Sequence, residues 1–197
     1  MTEFGLTLME VNPSAKWIVI PPEIKWVDAY CSRTQLSAMK YIEVQNVDVL
    51  LSIRNPPKKI VISDSSRFWN IDVLVTLGRI GIHEIEITNN KYYTSEDGIV
   101  YTKNKKKLLK CPPERTGHIV IPNGVQEIGE RAFANSKVAS ITFPDSLRKI
   151  EYEAFMHCIK LNQIDFGREV KEIGTAAFEW CSELTVLKFP QQIKKDM

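Results

Sequence analysis

Residues 119–186 say one thing three times: IVIPNGVQEIGERAFANSKVAS (119–140), ITFPDSLRKIEYEAFMHCIKLNQ (141–163) and IDFGREVKEIGTAAFEWCSELTV (164–186). LKFP (187–190) then opens a fourth copy. Phe133, Phe155 and Phe178 are 22 and 23 residues apart, and Ile128, Ile150 and Ile173 keep the same spacing. Self-similarity at a fixed short period marks stacked units, none of which can bury its apolar face alone. The stretch therefore decides the fold in favour of a solenoid.

Each copy opens on a short strand. Alternate residues of a strand face opposite ways. Ile141 and Phe143, like Ile164 and Phe166, then point inward, while Thr142 and Asp165 point outward. Pro122, Pro144 and Pro190 end the strands, and Gly167 takes that place in the third copy; both residue types interrupt a ladder. A V/L-x-x-I pattern supplies a second inward wall from Val125 and Ile128, Leu147 and Ile150, and Val170 and Ile173. Gly129 and Gly174 suit a tight turn, with Glu151 at that position in the middle copy. ERAFANS and TAAFEWC are expected to form short helical turns that bury Ala and Phe. Stacking puts Phe133, Phe155 and Phe178 in one column, and burying a phenylalanine stabilises by about 1.5–3 kcal/mol.

Working outward, WIVIPPEIKWVDAYC (17–31) is a worn copy of the opening motif: Ile18, Ile20, Pro21, Ile24 and Val27 match Ile119, Ile121, Pro122, Val125 and Ile128. YIEV (41–44), KIVI (59–62) and EIEI (84–87) read as strands, with β-branched residues at alternate positions. RFWNIDVLVTLGRIG (67–81) fits a short helix or another strand. Strand centres at Ile18, Ile42, Ile60, Ile85, Ile119, Ile141, Ile164 and Leu187 make eight rungs, roughly 24 residues apart on average. The long interval from Ile85 to Ile119 carries Asp97-Gly98, a turn signal, and GIVYT and KLLKC on either side of KNKK. That interval reads as an inserted β-hairpin. One domain over 1–197 follows, with an N-terminal cap at 1–16, degenerate repeats at 17–87, the hairpin insertion at 88–117 and regular repeats at 118–197. In the cap, Phe4, Leu6 and Leu8 alternate as in a half-buried strand.

IPNGVQEIGERAF, FPDSLRKIEYEAFMHC and GREVKEIGTAAFEWC resemble the BspA-like leucine-rich repeats of bacterial surface proteins. YYTSEDGIVYTKNKKKLLKCPP is similar to a hairpin common in that family. The resemblance covers 85–193 closely and 17–31 in part. It implies an α/β leucine-rich-repeat solenoid, with parallel strands on one face and short helical turns or loops on the other. It also implies a cell-surface or secreted setting and host or microbial partners.

Composition excludes more than it selects. The 197 residues are 44% hydrophobic, enough for a sizeable core. With 26 basic and 24 acidic residues, there is no general electrostatic case for nucleic acid or an anionic membrane. No apolar run approaches the ~20 residues that span a bilayer, so membrane insertion is not expected. The opening MTEFGLTLMEVNPSAKW lacks a basic n-region, a long apolar stretch and a small-residue cleavage site. As it stands the chain reads as cytoplasmic, against the surface setting that the resemblance implies. His83, His118 and His157 are scattered, without HExxH, and GxxxxGK and GxSxG are absent. No catalytic, metal or cofactor set is expected, and the chain is read as non-enzymatic. Cys31, Cys111, Cys158 and Cys181 form no CxxC. Cys158 and Cys181 share a repeat position, within disulfide reach on neighbouring rungs; stacked buried thiols are the preferred reading.

Three surface features remain. KNKKKLLK holds Lys103, Lys105, Lys106, Lys107 and Lys110. It is either a patch for an acidic partner or, as preferred, a solvated hairpin whose charges oppose edge aggregation. His157 and Trp180 share a repeat position and should emerge side by side, as packing between repeats in preference to a binding aromatic. The outward residues of the strands, Val19, Glu43, Val61, Glu86, Val120, Thr142, Asp165 and Lys188, form a ladder. Solenoids commonly bind through such extended faces, and the mixture of apolar and charged groups suits a protein partner. The expectation is a non-catalytic protein–protein interaction module. The alternative is a bacterial adhesion or glycan-binding module, which would want clustered exposed aromatics; Trp17, Trp26, Tyr92 and Tyr93 are dispersed in sequence. After Pro190 only QQIKKDM follows. Ile193 either covers part of the last rung or leaves a strand open to homodimerisation.

Overall fold

Eight short parallel strands carry one face of the molecule, and the turns that return the chain carry the other. The computed structural model describes residues 6–8, 10–12, 14–28, 35–64 and 71–189. Its N-terminal part contains β1 (Leu6–Leu8), β2 (Trp17–Ile20), β3 (Ile24–Val27), β4 (Tyr41–Val44), β5 (Lys59–Ile62), helix α1 (Ile71–Arg79) and β6 (Glu84–Ile87). Then come β7 (Tyr93–Glu96), β8 (Ile99–Thr102), β9 (Lys107–Lys110), β10 (Thr116–Val120), β11 (Glu127–Ile128) and β12 (Lys137–Thr142). The last elements are β13 (Lys149–Ile150), β14 (Gln163–Asp165), β15 (Glu172–Ile173) and β16 (Val186–Lys188).

All eight expected strand centres fall in register. β2-β4-β5-β6 and β10-β12-β14-β16 are two four-stranded parallel sheets, aligned through Ile18, Ile42, Ile60 and Ile85 and through Ile119, Ile141, Ile164 and Leu187. The second wall is present as the two-residue strands β11, β13 and β15, in which Ile128, Ile150 and Ile173 pair. β1 pairs in parallel with β3; Phe4 lies outside the described residues. The undecided stretch after residue 70 is helical from Ile71 to Arg79, and Val73 and Leu77 are buried in the N-terminal core.

The insertion is built into the architecture. β7, β8 and β9 form an antiparallel meander, and β9 continues in parallel into β11, so that Leu108 stands opposite Ile128. Side chains of neighbouring strand residues alternate between faces. Val100 and Leu109 enter the core of the N-terminal rungs, while Ile99, Tyr101 and Leu108 enter that of the C-terminal rungs. β8 is buried along its first three residues for this reason. The meander is the wall between two apolar clusters.

Expected short helical turns are not what the C-terminal rungs contain. ERAFANS and its two counterparts are chains of tight turns, each with two residues at positive φ: Arg131 and Asn135, Glu153 and His157, Ala176 and Trp180. Left-handed residues stop a helix from propagating. Their backbone groups are satisfied in two directions. Ala132, Ala134 and Ser136 N–H donate locally to Gly129, Arg131 and Phe133 carbonyls, and Arg131, Phe133 and Asn135 N–H donate to Tyr152, Ala154 and Met156 carbonyls of the next rung. The same inter-rung pattern joins Glu153, Phe155 and His157 to Thr175, Ala177 and Glu179. A helix would close its hydrogen bonds on itself and leave the rungs joined on this side by side chains alone. Gly129 serves close approach, since a Cβ there would lie 2.9 Å from Leu108 O. At the matching position Glu151 uses its carboxylate instead, accepting from Glu130 N–H at 2.9 Å and Lys107 Nζ at 2.7 Å.

Candidate functional site

The strand face is built from two register-aligned rows. Val19, Glu43, Val61 and Glu86 stand side by side on β2, β4, β5 and β6. Val120, Thr142, Asp165 and Lys188 do the same on β10, β12, β14 and β16. All eight sequence-derived positions are thus brought together, four and four. They are not equally available: Val61 is only 7% exposed, whereas Val120 is 65% exposed. Parallel to the first row runs Trp17, Tyr41, Lys59 and Glu84. Trp17 stacks on Tyr41 with ring centroids 5.8 Å apart and planes 4° from parallel, and it remains 52% exposed. Lys59 bridges Glu84 at 2.8 Å and Glu86 at 2.5 Å, and these two carboxylates raise its pKa. Beside the second row, His118 and Ser140 are joined at 2.8 Å.

Tyr41 is the residue that sequence reading missed. Its signal was present, because it occupies the position of Trp17 one rung later, but a Trp–Tyr match is invisible to a search for identical repeats. The face is also notched. Between β6 and β10 the hairpin turn intervenes: Ile85 N–H donates to Gly98 O at 3.1 Å and Ile87 N–H to Ser95 Oγ at 2.9 Å. A cavity of about 700 Å³ lies there, lined by Glu84, Glu86, Asp97 and Arg115 among others. Tyr93 is buried, while Trp26 and Tyr92 are exposed.

The lysine run is solvated as expected at Lys103, Lys105 and Lys106, half-buried at Lys107 and buried at Lys110. Lys103 Nζ donates to Asn90 O, Lys105 pairs with Glu96, and Lys107 pairs with Glu151 and Glu127. Lys110 is wholly buried, with Nζ 3.0 Å from Arg131 O and 3.5 Å from Ala134 O. Burial lowers its pKa from 10.5 to about 8, and the nearby Arg131 acts in the same direction. Between those two values the unfolded chain holds a proton that the folded chain has released, so Lys110 makes stability rise with pH there. Other buried groups oppose it. Cys111 is pushed up to about 12, and burial also raises Cys158 and Tyr101, so each removes stability as pH climbs past its ordinary value. Comparing wild type with Lys110→Met at pH 7 and pH 9 isolates the lysine. The wild type is expected to gain about 1 kcal/mol on the variant over that interval. Equal pH dependence of the two melting curves would show that no buried ammonium titrates at this position.

On the turn side, His157 and Trp180 do emerge together, stacked at 5.9 Å and 7°. Cys158 and Cys181 are free thiols; their Sγ atoms donate to Phe133 O at 2.9 Å and Phe155 O at 3.1 Å. Cys31 and Ile193 lie outside the described residues. Leu187, inward by register, is 48% exposed. Among the described residues no group of three His, Cys, Asp or Glu is placed to hold a metal, and no helix is long and apolar enough to cross a membrane.

Comparison with known proteins bears on the fold. The profile of the BspA type leucine rich repeat region matches residues 114–195, in six copies. A leucine-rich repeat protein from Eubacterium ventriosum aligns at TM-score 0.56 and 19% identity, over 88% of this chain and 54% of that one. Pneumococcal vaccine antigen PcpA aligns at TM-score 0.55 and 16% identity, over 90% of this chain and 51% of that one. The chain thus spans about half the length of these structures. No curated protein matches.

Proposed function

We propose, on the premise that residues 114–195 are a BspA type leucine-rich repeat region, that the chain is a non-catalytic interaction module that binds a protein through its strand face. One observation carries this reading. Eight strand-face positions, scattered over the sequence and open to solvent except at Val61, align in two rows of four, the first beside a pre-stacked pair in which Trp17 is exposed and Tyr41 half-buried. Binding energy concentrates in a few rigid aromatic anchors surrounded by near-neutral contacts. Stacking removes rotamer freedom from Trp17 before a partner arrives, which lowers the ordering cost of association. The Lys59–Glu84–Glu86 cluster fixes charge beside that anchor and favours partners of complementary pattern over others. A cell-surface setting, with a host or microbial molecule as partner, belongs to the same proposal.

The test is titration of a purified partner, first found by capture on the immobilised chain. Trp17→Ala is expected to weaken binding by about thirtyfold, a typical hot-spot loss. Val120→Asp and the pair Asp165→Lys with Lys188→Glu should weaken it less. Unchanged affinity in all of these variants, with their folds intact, would remove the strand face from consideration.

A further inference from the structure

We propose that Cys158 and Cys181 are a redox pair: Cys181 exchanges with a small-molecule disulfide, Cys158 resolves the adduct, and the bond between them fastens the last described rung to the stack. The pair lies on the turn side, away from the strand face, and is independent of the protein-binding reading.

The fold sets the two thiols against each other. Ser136, Cys158 and Cys181 occupy one repeat position on three successive rungs. Just before the cysteines, Phe155 N–H donates to Ala177 O at 2.7 Å and His157 N–H to Glu179 O at 2.9 Å. The two rungs therefore run at the spacing of neighbouring strands, about 4.8 Å, and a disulfide spans Cα separations of about 4.4–6.8 Å. His157 and Trp180 share a left-handed conformation, at φ 59° and 60°, so both cysteines leave the backbone on the same side. Their sulfurs are within hydrogen-bond reach of each other. Forming the disulfide removes the S–H donors that now serve Phe133 O and Phe155 O, yet strands neither carbonyl. Phe133 O keeps Ser136 N–H at 2.8 Å, and Phe155 O keeps Cys158 N–H at 3.1 Å. The usual cost of an orphaned buried acceptor is thereby avoided.

Their surroundings make the two sulfurs unequal. Cys158 has no exposed surface, whereas Cys181 is half-buried between exposed Trp180 and Ser182. Burial holds the Cys158 thiol well above its ordinary pKa, while the hydrogen bond from Cys158 lowers that of Cys181. The thiolate is the attacking form, so Cys181 reacts first. Its sulfur attacks one sulfur of the small disulfide, whose S–S bond breaks to release one thiolate. Cys158 then gives up its proton, attacks Cys181 Sγ and displaces the second thiolate. Two protein thiols are oxidised to one disulfide, and one small disulfide is reduced to two thiols that take up the two protons. Cys111 is kept apart by the serine in the column, its Sγ lying 4.0 Å from Ser136 Oγ.

The whole chain carrying Cys31→Ser, incubated with glutathione disulfide and mapped by peptide mass spectrometry, tests this. A Cys158–Cys181 link is expected, with Cys111 still a thiol. Cys158→Ser should leave Cys181 held as a mixed disulfide with glutathione, and Cys181→Ser should leave Cys158 reduced. Serine suits both positions, as Ser136 shows one rung earlier. In the linked protein, amide exchange at Leu184, whose N–H donates to Cys181 O at 3.0 Å, should slow by about tenfold and recover on reduction. Any of four results would overturn the proposal: no reaction at Cys181, a mixed disulfide there that persists with Cys158 present, equal reaction of Cys158 in Cys181→Ser, or unchanged exchange at Leu184 in the linked protein.

Discussion

Phe155→Ala is expected to lower stability by about 3–5 kcal/mol, the range for truncating a buried phenylalanine. Phe155 has no exposed surface and sits in the middle of a column, 4.7 Å from the Phe133 ring and 5.1 Å from Phe178, both stacked. A second column, Phe143, Phe166 and Phe189, touches it edge-on through Phe143 at 6.0 Å. Truncation therefore removes contacts to two neighbouring rungs and one neighbouring column at once. The backbone cannot close over the gap, because Phe155 N–H is bonded to Ala177 O and Phe133 N–H to Ala154 O. For a chain of this size the loss corresponds to a Tm drop on the order of 10 °C. Phe178→Ala should cost less, since Phe178 is only partly buried. Thermal unfolding followed by near-UV circular dichroism compares the two, and an equal or larger loss for Phe178→Ala would show that the column does not act as a stack.

What the sequence disclosed follows from what repetition can encode. Ile128, Ile150 and Ile173, or Phe133, Phe155 and Phe178, recur because identical environments recur, so the stacked architecture was legible from their spacing. The turns were not. Arg131, Glu153 and Ala176 share a left-handed conformation yet share no chemistry, because at these positions the fold constrains the backbone and leaves the side chain free. Lys110 misled for the opposite reason. It continues a run of lysines in sequence, but it lies at the buried end of β9 with Leu108, Leu109 and Cys111, while Lys103, Lys105 and Lys106 stay exposed. The strand face was legible as a ladder and illegible as an energy distribution. Which outward residue is covered, as Val61 is, and which is stacked, as Trp17 is, depends on neighbours far away in sequence.

Gly167→Ala is expected to be the most damaging single-methyl change in the C-terminal rungs. In the sequence Gly167 looks like a stand-in for the proline that ends the other strands. In the structure a Cβ there would lie 2.0 Å from Pro144 O, 2.5 Å from Pro144 C and 2.9 Å from Asp145 N. All three are backbone atoms of the preceding rung, so no rotamer change can relieve the overlap. Nor can that rung retreat readily: Leu147 N–H donates to Pro144 O at 3.1 Å, and Phe143 N–H donates to Asp165 O at 2.9 Å. Gly167 must move, and Phe166, whose N–H donates to Lys188 O at 2.8 Å, moves with it. Stacked rungs contact only their neighbours, so the damage should stay local. Hydrogen exchange reads this directly. Protection at Phe166 and Val186 should fall by about a hundredfold or more, while Ile60 and Ile85 exchange as in the wild type. Unchanged exchange at Phe166 in Gly167→Ala would mean that the two rungs do not meet at backbone contact distance. Loss of protection spreading to Ile60 would mean instead that the meander transmits disorder between the two cores and does not partition them.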